Sequence, residues 1–156
     1  MDEKLLNLAD KKIEQMQRYN DITSQIIYED IDGVGELIDR RQEIITAMDG
    51  ISVDMKQYVS EQNMERQNVL NSVLQSREMN DLTGELVELQ NKIRTIKKLT
   101  DEINRNDKLA KDRIRRLRDE AYSELVNSVK SKRTIAYCSP NSGGQLSNGG
   151  KLNISN

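Results

Sequence analysis

Histidine, phenylalanine and tryptophan are absent from this 156-residue chain, and cysteine and proline each occur once. Without histidine there is no ordinary general base at neutral pH, no commonest metal ligand and no Ser-His or Cys-His pair. Hydrophobic residues make up 35% and charged residues 32%, and tyrosine alone supplies the aromatics. That is too little bulk for a thick globular core but enough for a narrow seam between helices. A lone cysteine closes no internal disulfide, which points to a reducing compartment. The opening residues, Met1 to Asn7, lack the basic start and apolar run of a signal peptide. No stretch approaches the roughly 20 apolar residues of a membrane span. The expectation is a soluble cytoplasmic protein with no stable membrane insertion.

The only proline is Pro140, and four of the eight glycines stand at 143, 144, 149 and 150. Proline and glycine are the strongest helix breakers, so residues 3 to 132 are free to be helical almost throughout. The longest feature is an apolar stripe near the end of the chain: Leu82, Leu86, Leu89, Ile93, Ile96 and Leu99, continuing through Ile103, Ala110, Ile114, Leu117, Ala121 and Leu125. Steps of three and four keep these groups on one side of an α-helix. The stripe is interrupted only at Asn106-Asp107. At about 1.5 Å per residue it makes a rod about 70 Å long. Such a rod needs another helix against its apolar face, so the chain reads as a binding protein and not as an enzyme.

A first helix carries Leu5, Ala9, Ile13, Met16, Tyr19, Ile22 and Ile26, and ends near Tyr28 to Gly33. Asp30 or Asp32 is expected to cap the second helix by accepting a bond from an orphan N–H. That helix starts at Val34, runs through Leu37, Ile38, Ile44, Ile45 and Met48, and reaches Val59. Gly50 weakens it by about 1 kcal/mol relative to alanine, enough for a kink or break. The pattern between 60 and 80 fits helix or loop, with Val69, Leu70, Val73 and Leu74 favouring a short helix. Asn80-Asp81 is the expected cap of the long last helix. Short connections place neighbouring helices antiparallel. The fold class is therefore all-α: an elongated antiparallel helical hairpin or bundle with coiled-coil packing. A helical domain over 1–133 is followed by a flexible tail over 134–156, rich in Ser, Asn, Gly and Gln and devoid of acids.

Residues 1–107 hold 14 Lys/Arg against 22 Asp/Glu, while residues 108–133 hold 9 against 4. Cations at the end of the long helix suit its macrodipole. The run Lys111-Asp112-Arg113-Ile114-Arg115-Arg116-Leu117-Arg118 has the clustered cations that phosphate contacts require. Its five cations wrap around more than one helix face, and no aromatic residues interleave for base stacking. Solvated flanks around apolar Ile114 and Leu117 explain the run more simply than a nucleic acid; an acidic partner surface is the third reading. Carboxylate neighbours such as Glu85/Glu88 and Asp119/Glu120 fit a solvated helix face. Cys138 has no activating neighbour in the sequence. The segment Gly144 to Leu152 imitates a phosphate-binding loop, but Gly150 stands where that motif needs lysine and no Ser/Thr follows Lys151. No catalytic residue, metal ligand or cofactor is expected.

The order of parts carries a resemblance. After the first helix comes Glu29-Asp30-Ile31-Asp32-Gly33-Val34-Gly35-Glu36-Leu37, followed by Ile38-Asp39-Arg40-Arg41-Gln42-Glu43-Ile44-Ile45. This acidic turn and Arg-Gln-Glu-aliphatic stretch resembles the opening of the second helix in bacterial flagellar type III export chaperones of the FlgN and FliT type. Ile103-Asn104-Arg105-Asn106-Asp107-Lys108-Leu109 is similar to the Asn-rich spot in that family's last long helix. Ile135-Ala136-Tyr137 before a Gly/Ser tail is similar to its Tyr-Gly-type ending, although Cys138-Ser139-Pro140 follows here in place of glycine.

The resemblance implies a cytoplasmic escort for a late flagellar subunit. Its client would be a hook–filament junction protein or, alternatively, the filament cap. The last helix would lie against the helical terminal region of the client, and handover would involve the export gate and its ATPase. A helix-in-groove contact uses anchors at i, i+3, i+4 and i+7. On that basis Ile114, Leu117, Ala121, Tyr122, Leu125 and Val129 are the candidate partner-binding residues. The opposing expectation is that they continue the internal core. First and second helices of about 25 residues are too short to cover the whole last helix, which leaves apolar stripe over. The resemblance adds Tyr137 as a contact for the export gate. The chief competitor is a structural coiled coil that satisfies its stripe by self-association, as a homodimer.

Overall fold

A computed structural model describes residues 2–30 and 32–138, with the side chains of 134–138 left out. The protein is all-α: α1 (Glu3–Tyr28), α2 (Val34–Ser60), α3 (Met64–Leu74) and α4 (Glu85–Cys138) follow one another, with no strand among the described residues. No described helix is long and apolar enough to cross a membrane. The chain divides into two compact units, Met1–Ile114 and a second from Arg115 onward. That division falls inside α4 and follows compactness, whereas the limits 1–133 and 134–156 follow composition. Residues 139–156, most of the expected tail, lie outside the described residues. The helical backbone runs on through Thr134 to Cys138, because no breaker precedes Pro140.

In the first unit the pairings fix the directions of the helices. Tyr58 bonds Asp2, Lys12 bonds Ser52 and Arg41 bonds Tyr19, so α1 and α2 are antiparallel. Lys92 reaches Asp10, and Asn106 reaches Asn20, so α4 runs parallel to α1. The detour through α3 makes this direction available.

Apolar groups at three- and four-residue steps form a seam of three clusters. At one end Leu5, Leu8 and Ala9 of α1 meet Met55 and Val59 of α2, Leu70 and Val73 of α3, and Leu89 and Ile93 of α4. Met16, Tyr19 and Ile103 follow, then Ile22, Ile26, Leu37 and Ala110. Leu5, Ile26, Leu70 and Leu89 are wholly buried, and truncating any of them to alanine forfeits both transfer energy and packing, about 2–5 kcal/mol each.

The ambiguous segment contains a helix. Asn63 caps α3 by accepting a bond from the Arg66 N–H at 3.0 Å, and the buried faces of Leu70 and Val73 hold the helix down. It closes with the N–H of Ser76 on Val73 O and that of Arg77 on Ser72 O. This is a paired termination that requires a left-handed residue. Ser76 adopts it, at φ 58°.

Two expected caps are corrected. No side chain caps α2; the position is Gly33, at φ 87°, where the chain needs a left-handed residue that a Cβ would penalise and neither Asp30 nor Asp32 could supply as cheaply. Asn80-Asp81 does not start α4 either. The helix begins at Glu85 after Gly84, at φ 57°, and Leu82 precedes it in the connection while still packing on the first cluster.

Gly50 does not break α2, which is continuous from Val34 to Ser60. A Cβ built there meets nothing within 4 Å. Gly50→Ala should therefore raise unfolding stability by about 1 kcal/mol, measured by urea denaturation. A loss would show that the glycine serves a close approach.

Candidate partner-binding helix and its anchor

The interruption of the apolar stripe at Asn106-Asp107 is where α4 is fastened. The Asp107 carboxylate accepts from the Tyr19 hydroxyl at 3.0 and 3.1 Å and from Arg41 Nη2 at 2.8 Å. Arg41 also donates to the Tyr19 oxygen, and its guanidinium lies 4.6 Å from the centre of the Tyr19 ring. At the next residue of α1, the Asn20 Oδ1 accepts from Asn106 at 2.8 Å while its amide donates to Glu102 at 2.7 Å. Tyr19 is only 4% exposed. Its buried hydroxyl and the partly buried ions thus satisfy one another, as low-dielectric surroundings demand. Arg41 belongs to the Arg-Gln-Glu stretch of α2, so one residue from each long helix meets at this joint.

Arg113 is the residue that periodicity misses. Its guanidinium donates to Ile27 O at 2.8 Å and to Glu29 O at 3.1 Å. It therefore satisfies carbonyls at the C-terminus of α1, where a cation is favoured. The signal available in the sequence was a cation in the basic run about one turn past Ala110, opposite a helix with no basic residue in its last turn.

The candidate partner-binding residues divide between the units. Ile114, in the first, is half-buried against the cluster of Ile22, Ile26, Leu37 and Ala110. Leu117, in the second, is half-buried, and Ala121 is exposed. Tyr122, Leu125 and Val129 are 64%, 63% and 41% exposed. Tyr137 belongs to α4 by its backbone, and its side chain is outside the described residues.

Within the second unit the residues Arg118, Tyr122, Leu125, Val129 and Lys132 follow at steps of four, three, four and three. They share one face, with apolar groups in the middle and a cation at each end. Arg118 makes one loose ion pair with Asp119 at 3.8 Å, both side chains well exposed, an arrangement that contributes little. Asp119, Glu120 and Glu124 fall at least about 100° around the helix from Leu125. The face thus presents an apolar ridge bordered by cations. Among the described residues no group of three or more His, Cys, Asp or Glu could hold a metal ion.

Burial pushes the Tyr19 phenol above the ordinary tyrosine value, with Arg41 pulling it back. Burial, and then Asp2, push Tyr58 up as well. A group raised in the folded state contributes stability that is intact below its unfolded pKa, about 10 for tyrosine, and lost as pH climbs through the folded value. The urea midpoint should fall between about pH 9 and pH 11, and fall less in Tyr19→Phe. An equal fall in the variant would exclude the Tyr19 phenol as a source of the loss.

No protein-family model, curated protein or solved structure matches this chain.

Proposed function

We propose that the protein is a cytoplasmic export chaperone of the flagellar type, which clasps the helical terminal region of a late flagellar subunit and delivers it to the export gate and its ATPase. A hook–filament junction protein is the preferred client and the filament cap the alternative. The carrying observation is the exposed run Tyr122-Leu125-Val129 on one face of α4. Three large apolar groups at helical spacing, bordered by Arg118 and Lys132, suit the anchors of a helix-in-groove contact. A client helix covering this face would have its own apolar ridge shielded from premature polymerisation, which is what an escort must achieve.

The order of the helices and the Arg41 and Asn106-Asp107 stretches support the same reading by resemblance. No catalytic role is proposed for any residue. A nucleic-acid partner draws less support. Arg113 is engaged with the end of α1, and the exposed face presents tyrosine and aliphatic groups between its cations.

Co-expression with a junction protein, followed by size-exclusion chromatography with light scattering, tests the proposal. A 1:1 complex is expected. Tyr122→Asp with Leu125→Asp should weaken it by about tenfold or more while leaving the thermal midpoint unchanged, since neither side chain is buried. Ile114→Asp should instead lower stability. A protein that binds neither junction nor cap protein and elutes as a dimer, which the double substitution dissociates, would overturn the proposal in favour of a self-associating coiled coil.

A further inference from the structure

A second feature lies in the first unit. There α1, α2, the turn after α3 and α4 border a hollow of about 420 Å³, within the size range of small-molecule sites. Its floor is apolar: Met55 and Ile93, each 6% exposed, with Leu74 and Ile96 beside them. Its rim is cationic. Lys12, Lys56 and Lys97 come from three different helices, and no Asp or Glu lines the hollow. This is contrary to the surroundings, since residues 1–107 carry eight more acids than bases.

Two details hold the rim in place. Lys12 Nζ donates to Ser52 Oγ at 2.8 Å, and that hydroxyl donates onward to Met48 O at 3.0 Å. This bond holds the Lys12 side chain against α2. Burial holds this ammonium below the ordinary lysine pKa, with Lys56 adding to the effect and Asp49, which is not among the lining residues, opposing it. The other detail is Ser76. It lines the hollow and occupies the left-handed position that ends α3, where glycine would avoid the Cβ penalty. Serine there adds a polar residue to the lining at a conformational cost.

We propose that this hollow binds a small amphipathic anion, a carboxylate or phosphate on a short aliphatic body. The lysines at the rim take the charge, and the Met55–Ile93 floor takes the body. Charge-assisted bonds from ammonium to an anionic oxygen are the strong ones, while the floor discriminates against a bare ion. The site is independent of the client-binding face and of the reading built on it.

The full-length protein is titrated with octyl phosphate and with octanoate, both below their micelle concentrations. Binding is followed by calorimetry and by the methyl resonance of Met55. Saturable 1:1 binding of at least one probe, with a shift of that methyl, is expected. Whichever probe binds more tightly identifies the headgroup. Inorganic phosphate and neutral 1-octanol should each bind about tenfold more weakly or worse. Lys97→Met, on an exposed position that leaves the core untouched, should cost about tenfold in affinity, and Lys12→Met should cost a similar factor. The proposal is overturned if neither probe saturates, if the Met55 methyl does not respond, if octanol or phosphate binds as tightly as the amphiphiles, or if folded Lys97→Met binds unchanged.

Discussion

The Asp107 carboxylate is the constraint on which the first unit depends. It sits partly buried in the seam of α4, its side chain 25% exposed, where an unpartnered charge is unfavourable. It is answered only when Tyr19 of α1 and Arg41 of α2 arrive together. Sliding any of the three helices by one turn, about 5.4 Å, separates these groups and leaves a partly buried ion without a partner. Apolar seams alone tolerate such slips, because one leucine layer resembles the next. The polar joint thus adds register to a seam that supplies cohesion, as a buried polar residue can do in coiled coils.

A fully buried carboxylate closes the N-terminal end of α1. Asp2, 1% exposed, receives Arg66 from α3 and the Tyr58 hydroxyl from α2, and its own N–H donates to Glu85 at the start of α4 at 2.6 Å. Four helices therefore converge on one residue ahead of the first turn. Arg113 completes the set by holding the last carbonyls of α1. Helix α1 is tied near its beginning, its middle and its end. Each tie uses a charged group whose cost of burial is offset only in the correct arrangement.

Much of this fold was legible in the sequence because period and punctuation agree. Scarce breakers and steps of three and four locate α1, α2 and most of α4; the residues in those steps are largely buried in α1, whereas those of α2 and α4 are more often half-buried. The turns were less legible. Gly33, Gly84 and Ser76 decide where helices begin and end through left-handed backbone, whereas side-chain capping preferences point to Asp30, Asp32 and Asn80-Asp81. The polar interruption at Asn106-Asp107 was visible, but its meaning depended on Tyr19 and Arg41, distant in sequence. Arg113 was hidden for the same reason: within a run of cations, the one that meets a helix end carries no local mark.

The candidate face shows the limit of periodicity from the other side. Ile103 and Ala110 belong to the same stripe as Ala121 and Leu125, and the spacing does not distinguish them; in the folded chain the first pair is buried and the second exposed. Helix length separates them. At 54 residues α4 is about twice as long as α1 at 26 or α2 at 27, so neither can run along all of it. Composition changes in parallel. Most of the covered part of the stripe lies in residues 1–107, the acidic portion of the chain, with Ala110 and Ile114 just past it, and its apolar groups are Leu, Ile and Ala. The exposed part lies among cations, and its large groups are a tyrosine, a leucine and a valine. Cations beside an uncovered apolar ridge hydrate its borders and would set like charges against one another in a second copy of the same surface. The change of charge along α4 thus falls within about two turns of the change from covered to uncovered stripe, and the excess cations flank the uncovered apolar ridge.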